Sequence, residues 1–363
     1  MNNVRPSNER LANLTPYDPK YLPAKCMMSA NENPWNVPDN IRYEIRKHLK
    51  TCEFNRYPDP LANSLREAIA EANGLEKENI LLGNGGDELL FNTALCWGGP
   101  GRKFLNLPPT FSVYENNALL TGTEVVNIPR REDYSIDADA VLSRVAEGDI
   151  DFIIITSPNN PTGQLADESF VDELLNSTDA LVMVDEAYGE FSRTTMRPYL
   201  SMHKNLILLR TFSKAFALAG VRLGYLLGDA DVLAEYLKVR QPYSVDKVSQ
   251  IIGQTVFEHR SEFSPIINDI IECREWLLEK MRTIPGLTVY PSDSNFIMFK
   301  VKDAGDVWQR LYERGILIRD FSKTPYIEDC LRVSVGSPEQ NHAFIAALQD
   351  IFAERRLEHV RQD

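Results

Sequence analysis

The chain has 363 residues, of which 43% are hydrophobic and 25% are charged. These are the proportions of an ordinary globular protein, so a disordered or collagen-like chain is excluded. The 39 Lys and Arg residues against 52 Asp and Glu residues give a formal net charge of -13, which disfavours nucleic acid and anionic membrane surfaces as partners. The length is sufficient for two domains, or for one large domain with a smaller one appended.

The sequence carries no sign of a membrane span, a leader or a metal site. No stretch approaches the roughly 18 apolar residues of a membrane span, and the N-terminal residues MNNVRPSNERLANL lack the apolar centre of a signal peptide. We therefore expect a cytoplasmic protein. The five cysteines form no C-x-x-C pair and the five histidines show no ligand spacing, so we expect neither a disulfide framework nor a metal.

Short apolar runs alternate with longer helical patterns from about Asn79 to Leu227. Seven of these runs are predicted strands, at residues 80–82, 103–107, 124–128, 152–156, 181–185, 206–211 and 222–227. Runs such as FIIIT and LVMVD are apolar on both faces, which is typical of strands covered by helices on either side of a parallel sheet. The pattern predicts an α/β domain with a mainly parallel seven-stranded sheet flanked by helices.

The pattern changes after Gln241 and Pro242. Long helical patterns over residues 248–282 are followed by shorter strands in SNFIMFKV, ILIRD and LRVSVG. We predict three parts: an N-terminal arm over residues 1–29 that lies outside both domains, a large domain over 30–245, and a smaller α+β C-terminal domain over 246–363.

Polar and glycine-rich residues follow several predicted strands, in ILLGNGGDE, LNLPPTF, ITSPNNPTG, MVDEAY and LRTFSK. Ligands of parallel sheets collect at the carboxyl ends of the strands, so these segments predict one site. A P-loop is excluded because no G-x-x-x-x-G-K-[ST] is present, and GNGGDE lacks the third glycine of a dinucleotide fingerprint. A serine hydrolase is disfavoured because the sequence contains no G-x-S-x-G motif.

Lys214 lies in RTFSKAFALAG, between a serine and a run of small apolar residues. An ammonium group prefers water, and its burial without a partner is costly. From this stretch alone, Lys214 is either a lysine on a helix surface whose head reaches solvent or an amine used in covalent catalysis.

Taken together, these motifs resemble those of the fold-type I pyridoxal-phosphate aminotransferases, from the arm to the C-terminal domain. The resemblance implies the fold of that family, pyridoxal 5'-phosphate as the cofactor, and Lys214 as the Schiff-base lysine. SPNNPTG and VDEAY match the segments that contact the cofactor ring, and LRVSVG matches the segment with the arginine that binds the substrate anion.

Four residues are expected at the cofactor ring. Asp185 would keep the ring nitrogen protonated, because a buried carboxylate favours the charged ring. Asn160 and Tyr188 would contact the oxygen of the ring 3-hydroxyl group, and Phe111 would stack on the ring. The alternatives are a helix cap for Asp185, a turn residue for Asn160, and core aromatics for Tyr188 and Phe111.

The cofactor phosphate would lie at a helix start, where main-chain amides and a few side chains bind anions. The residues expected there are Gly85, Gly86, Asp87, Ser213 and Arg222. Tyr57 in RYPDP resembles the tyrosine that reaches the phosphate in the neighbouring subunit of this family. The resemblance therefore implies a homodimer with shared active sites.

Within the family, SANENPW, NLTPY, NRYPDP, ILIRD and LRVSVGSPEQN look most like segments of the histidinol-phosphate aminotransferases. The reaction implied is the reversible transfer of an amino group from L-histidinol phosphate to 2-oxoglutarate, which gives imidazole-acetol phosphate and L-glutamate. It belongs to histidine biosynthesis. Lys214, Asp185 and Tyr188 would be catalytic. The residues expected to bind these small-molecule substrates are Tyr17, Asn33, Arg319 and Arg332.

Several alternatives remain open on the sequence. Arg319 could form a surface ion pair with Asp320 or Glu313 instead of binding substrate. Aromatic amino acid aminotransferases and threonine-phosphate decarboxylases are built from much the same motifs. A pyridoxal-phosphate-binding regulator without turnover is a further possibility, since a fold does not guarantee catalysis.

Overall fold

The computed structural model describes residues 22–360 and, before them, Arg5, Asn8, Leu11, Leu14, Pro16 and Asp18. The strands of these residues are β1 (Cys26–Met28), β2 (Ile80–Asn84), β3 (Lys103–Asn106), β4 (Glu124–Asn127), β5 (Phe152–Thr156), β6 (Leu181–Asp185), β7 (Leu206–Thr211), β8 (Leu223–Gly228), β9 (Leu287–Val289), β10 (Phe296–Val301), β11 (Ile316–Asp320) and β12 (Cys330–Ser334). The helices are α1 (Asp39–Lys50), α2 (Asn63–Asn73), α3 (Gly85–Trp97), α4 (Val113–Thr121), α5 (Ala138–Val145), α6 (Glu168–Ser177), α7 (Gly189–Ser192), α8 (Ala230–Tyr236), α9 (Lys247–Glu258), α10 (Ser264–Arg282), α11 (Ala304–Glu313) and α12 (Pro338–Val360). None of the described helices is long and apolar enough to cross a membrane.

A seven-stranded sheet has the order β2-β8-β7-β6-β5-β3-β4. Strand β8 runs antiparallel to both of its neighbours, and the other pairs are parallel. The predicted α/β fold with a mainly parallel seven-stranded sheet is confirmed, and β5, β6 and β7 have the predicted bounds. All residues of β5 and β6 are buried, as expected for strands covered on both faces.

The core of this sheet consists of two hydrophobic clusters, one on each face. Because side chains alternate along a strand, neighbouring residues of β5 and β6 belong to different clusters. One face carries Ile153, Ile155, Val182 and Val184; the other carries Phe152, Ile154, Leu181 and Met183. The first cluster continues into the C-terminal part of the chain through Phe296, Phe299 and Phe344, so the two parts share a core.

A second, five-stranded sheet has the order β1-β11-β12-β10-β9. Strand β1 lies parallel to β11, and the remaining pairs are antiparallel. The sequence interpretation put residues 1–29 outside both domains, but Cys26–Met28 form an edge strand of this small sheet. Met28 is fully buried, which explains why this short segment is held there.

The division between the large and small parts at residue 245 stays a prediction. Helix α9, which follows it directly, packs against α1 and α2. Helix α10 packs against α12 and β9. The carboxyl ends of β5, β6 and β7 lie side by side, because Thr156 pairs with Asp185 and Asp185 with Leu209.

Candidate active site

Asp185 is the last residue of β6 and is only 4% exposed. Its Oδ2 accepts a hydrogen bond from the hydroxyl of Tyr114 at 2.6 Å, and its Oδ1 accepts one from the N–H of Ala187 at 2.9 Å. Burial raises the pKa of Asp185 to about 6, although both hydrogen bonds oppose the rise. Within the described residues no cationic side chain forms an ion pair with this carboxyl. The N-cap of α7 is Tyr188, so Asp185 does not cap that helix.

Lys214 follows β7 in a loop that is not helical, between the buried side chains of Phe212, Ala215 and Phe216. Its side-chain Nζ donates a hydrogen bond to the carbonyl of Ala30 at 2.9 Å. Burial and, after it, the positive charge of Arg332 lower the pKa of Lys214 to about 8. A substantial fraction of this amine is therefore neutral in the physiological range, as a nucleophile or a general base requires.

Tyr188 and Asn160 meet in a network that also contains Arg332. The hydroxyl of Tyr188 accepts hydrogen bonds from Nδ2 of Asn31 at 3.0 Å and from Nδ2 of Asn160 at 3.5 Å. Arg332 donates to Oδ1 of Asn160 and, at 2.8 Å, to the carbonyl of Ser29. Segments that are far apart in the sequence are thus joined around Tyr188, which lies 5.9 Å, ring centroid to Nζ, from Lys214.

Asn31 was missed by the sequence interpretation, which selected Asn33 in the same segment. Asn31 is 1% exposed, and its φ of 55° lies in the left-handed region that asparagine tolerates. Asn33 donates to the carbonyls of Ala215, at 3.1 Å, and Lys214, at 3.4 Å. Asn33 therefore holds the main chain of the lysine loop, and its contact with a substrate stays a prediction.

Arg319 and Arg332 lie opposite each other on β11 and β12, so their side chains leave the same face of the small sheet. The ring of Phe321 is 5.9 Å from the guanidinium of Arg319 and 5.5 Å from that of Arg332. Arg319 also donates to the carbonyl of Asp18 at 3.3 Å. Two neighbouring cations repel each other and together favour an anionic ligand. Tyr17, the other residue predicted here, lies outside the described residues.

Gly85, Asp87 and Arg222 meet at the start of α3. The φ of Gly85 is 75°, and a Cβ atom there would lie 2.7 Å from Nη2 of Arg222. The same Nη2 donates to Oδ2 of Asp87 at 2.7 Å. A Cβ at Gly224 would lie 2.8 Å from the N atom of Gly86, so the main chains of α3 and β8 are in close contact. Main-chain N–H groups at a helix start beside a guanidinium suit an anion.

The remaining predicted side chains have varied surroundings. Ser213 is buried and accepts a hydrogen bond from Oγ1 of Thr211 at 3.0 Å. Phe111 is half-buried and meets Tyr114 edge-on, with 5.6 Å between the ring centroids. Tyr57 is 79% exposed and stacks on Tyr243 at 4.5 Å. Tyr114, on α4, was missed because its partner Asp185 is 71 residues away and no local pattern points to it.

Comparison with known proteins identifies the family. The sequence model of "Aminotransferase class I and II" matches residues 23–348. "Histidinol-phosphate aminotransferase 1" of Carboxydothermus hydrogenoformans is 39% identical over 352 residues, which cover 97% of this chain and 100% of that protein. The chain belongs to the class I and II aminotransferases, in the histidinol-phosphate aminotransferase family.

Solved structures agree with the fold of the aminotransferase. The histidinol-phosphate aminotransferase from Sinorhizobium meliloti, in complex with pyridoxal-5'-phosphate, is 23% identical with a TM-score of 0.89, over 98% of this chain and 99% of that one. The L-threonine-O-3-phosphate decarboxylase from Porphyromonas gingivalis is 24% identical with a TM-score of 0.79, over 90% and 99% of the two chains. At these identities the likeness shows the fold alone, and it does not separate an aminotransferase from a decarboxylase.

Aminotransferases of this class depend on pyridoxal 5'-phosphate, which is therefore the cofactor of this aminotransferase. The residues present fit it in three places. Asp185 is a buried carboxyl that forms no ion pair within the described part of the chain, Lys214 is an amine with a lowered pKa, and the start of α3 beside Arg222 suits a phosphate. A group with a cationic ring, an aldehyde and a phosphate matches these three features.

Proposed function

We propose that this aminotransferase reversibly transfers an amino group from L-histidinol phosphate to 2-oxoglutarate, which gives imidazole-acetol phosphate and L-glutamate. This is a reaction of histidine biosynthesis. The observation that carries the proposal is the arginine pair of β11 and β12, Arg319 and Arg332. L-Histidinol phosphate carries a phosphate and L-glutamate carries carboxylates, and two adjacent guanidinium groups can bind either kind of anion. The family relationship independently supports the same substrates.

The cofactor would be held by residues from both sheets. Lys214 would bind it covalently, Asp185 would pair with its ring nitrogen, and Asn160 and Tyr188 would contact its 3-hydroxyl oxygen. The residues proposed for the remaining contacts are Phe111 on the ring face and Gly85, Gly86, Asp87, Ser213 and Arg222 at the phosphate. When bound, the cofactor accepts the electron pair that is released as the Cα–H bond of the substrate breaks.

Lys214 would also move the proton. When it is not bound to the cofactor, its Nζ would be a free amine in a pocket that lowers its basicity. The neutral amine can take the proton from the substrate Cα, and the same buried setting excludes competing water. Hydrogen bonds from Asn31 and Asn160 hold the hydroxyl of Tyr188, and its ring lies near Nζ of Lys214, which supports a role for Tyr188 at the cofactor.

Arg332 would bind substrate in both half-reactions. Arg332 is 6% exposed, and its guanidinium lies 5.0 Å from the ring of Phe296. Leu331 and Val333, its neighbours on β12, point into the core on the other face. A planar guanidinium held in this way can form paired hydrogen bonds with a carboxylate or a phosphate.

We further propose that the enzyme is a homodimer in which Tyr57 reaches the cofactor phosphate of the partner subunit. Its 79% exposure leaves the side chain accessible to a second chain. Its stacking on Tyr243 limits the orientations of the ring. The cytoplasm as its location also stays a prediction.

A donor panel tests the proposed reaction. The purified enzyme, loaded with pyridoxal phosphate, is supplied with 2-oxoglutarate and one of L-histidinol phosphate, L-histidinol, L-phenylalanine, L-tyrosine or L-threonine phosphate, and glutamate is measured. We expect the highest kcat/KM for histidinol phosphate and a much lower value for histidinol, which lacks only the phosphate. A preference for phenylalanine or tyrosine would instead assign an aromatic aminotransferase. Carbon dioxide release from threonine phosphate would assign a decarboxylase, and no turnover with any donor would indicate a regulator.

A further inference from the structure

Tyr114 forms a buried hydrogen bond to Asp185 that the proposed reaction has not yet used. The Tyr114 side chain is 1% exposed and belongs to α4. Its hydroxyl oxygen lies 2.6 Å from Oδ2 of Asp185 and 2.8 Å from Oγ1 of Thr156. A charged carboxylate can only accept, so Tyr114 donates to Asp185 and accepts from the hydroxyl of Thr156.

The neighbouring groups leave this direction in place. The side chain of Asn159 donates from Nδ2 to the carbonyl of Pro109 at 3.0 Å and to Oγ1 of Thr162 at 2.9 Å. Its Oδ1 is therefore an acceptor, and Thr110 donates to it at 2.9 Å. Because the single proton of Thr110 is used there, Thr110 can only accept from Thr156, and their hydroxyl oxygens are 3.3 Å apart. The hydroxyl of Tyr114, at 2.8 Å, is the nearer acceptor for the proton of Thr156.

The hydrogen bond from Tyr114 opposes the effect of burial on the pKa of Asp185. Burial raises the pKa of Asp185, whereas the hydrogen bonds from Tyr114 and from the N–H of Ala187 lower it. Burial, and then the nearby Asp185, hold the pKa of Tyr114 well above its usual range, so Tyr114 remains a donor at every pH at which the enzyme is used. The other charged groups acting on Asp185 are Asp87 on α3 and the adjacent Glu186, which both disfavour its charged form.

We propose that Tyr114 is a positioning residue, whose hydroxyl keeps Asp185 charged and in one orientation and thereby prepares it for the ring nitrogen of the cofactor. This inference rests on the proposed role of Asp185. Two further groups interact electrostatically with Tyr114, namely Tyr188 and the buried Arg130. Both are unchanged by the substitutions below, so their effects cancel in a comparison with the wild type.

The test is the dissociation constant of pyridoxal phosphate, measured for Tyr114→Phe and the wild type from pH 6 to pH 8.5. Without the bond, more Asp185 is neutral at pH 6 and must lose its proton when the cofactor binds. A hydrogen bond to a charged group corresponds to about one to two pKa units, so the variant should bind the cofactor roughly 5- to 50-fold more weakly at pH 6. At pH 8.5 Asp185 is charged in both proteins, and the two constants should agree within about 1.5-fold.

Tyr236→Phe is the matched control. Tyr236 is equally buried, lies in the same hydrophobic cluster, and has its hydroxyl 2.9 Å from that of Thr93 instead of a carboxylate. The ratio of its dissociation constant for pyridoxal phosphate to that of the wild type should not change with pH. Thr156→Val, which keeps the side-chain shape, provides a second variant if Tyr114→Phe does not fold. Thr156→Val should also weaken cofactor binding at pH 6 relative to the wild type, but by a smaller factor than Tyr114→Phe, because Tyr114 still donates to Asp185.

Asp185→Asn separates this inference from the proposed function. If Asp185→Asn itself leaves cofactor affinity and turnover unchanged, the role of Asp185 is wrong and the proposal for Tyr114 fails with it. If Asp185→Asn loses both, but Tyr114→Phe follows Tyr236→Phe at every pH, only the proposal for Tyr114 is overturned. A pH-dependent ratio for Tyr114→Phe that disappears when Asp185→Asn is also present supports it.

Discussion

The buried charge of Asp185 destabilises the folded protein when no cofactor is bound, and the cofactor would offset this destabilisation. Its pKa rises from 3.8 to about 6 on folding because the carboxyl is buried. The folded chain therefore binds more protons than the unfolded chain between these values. It follows that stability contributed by this group is greatest below about pH 4 and is lost as the pH rises through about 6.

We predict that Asp185→Asn stabilises the cofactor-free protein at pH 8. A shift of about two pKa units corresponds to about 3 kcal/mol, and the less favourable hydrogen bonding of an amide reduces the expected gain to about 1–3 kcal/mol. Urea unfolding at pH 4.5 and pH 8 measures it. The gain should be smaller at pH 4.5, where the wild-type carboxyl is largely neutral in the folded protein. An equal difference at both pH values would contradict the raised pKa of the buried Asp185 carboxyl.

Lys214 provides a second prediction at the residue scale. Its pKa is about 8, because burial and then the charge of Arg332 disfavour the ammonium form. Arg332→Gln removes that charge, so the pKa of Lys214 should move up, toward its usual value of 10.5. The measurement is the pH dependence of amine labelling on the peptide that contains Lys214, in the cofactor-free protein. The variant should need a higher pH for half-maximal rate, and an unchanged midpoint would exclude the coupling of Arg332 to Lys214.

Strands β11 and β12 determine how the two arginines proposed to bind substrate, Arg319 and Arg332, are oriented. The alternation in LRVSVG predicts Arg332 on one face and Leu331 and Val333 on the other, and this is confirmed because both apolar residues lie in the core. The pairing of Arg319 with Arg332 could not be predicted, since the register of two strands depends on the loop between them and on the sheet as a whole.

We predict different losses for the two arginines. Arg332→Ala should reduce the half-reactions of glutamate and histidinol phosphate together, because its guanidinium serves both. Arg319→Ala should lower kcat/KM for histidinol phosphate much more than for unphosphorylated histidinol. Losing a hydrogen bond to a charged group suggests about a tenfold change or more in the ratio of the two donors. Arg314→Ala, which removes a surface arginine paired with Glu354, is the control. The wild-type ratio in Arg319→Ala would make histidinol phosphate the wrong substrate.

Local patterns predicted most of the elements and fewer of the contacts between them. The strands β5, β6 and β7 are continuous apolar runs, which are readable in one sequence. The three-residue strand β1 pairs with β11, almost 300 residues away, and is too short to show a period. Asn31 and Tyr114 were missed for the same reason, since their partners Tyr188 and Asp185 are 157 and 71 residues distant.

At the scale of the whole molecule, the site joins the two sheets. Ser334 of β12 donates to Oδ1 of Asn31 at 3.0 Å, and Asn31 donates to Tyr188 beside the central sheet. The two parts also share a hydrophobic cluster, which includes Tyr188 and Phe296. Contributions from such distant segments explain why SANENPW, which begins at residue 29, and LRVSVG, which ends at residue 336, belong to the same candidate site.

A shared active site predicts complementation between subunits. The protein should sediment as a homodimer. Lys214→Ala and Tyr57→Ala chains should each be nearly inactive, and mixed dimers should recover part of the activity, because one of their two sites would contain both native residues. The separate variants, taken through the same dissociation and reassociation, are the controls. A fully active monomer would refute the proposed role of Tyr57.

The central claim is that the strand ends form one cofactor site around Lys214. The most direct measurement is borohydride reduction of the enzyme loaded with pyridoxal phosphate, followed by mass spectrometry of its peptides. We predict one modified peptide, with the phosphopyridoxyl group on Lys214, and no stoichiometric modification of Lys214→Ala. Labelling of a different lysine at full stoichiometry, or equal labelling of the Lys214→Ala protein, would contradict this account of the site.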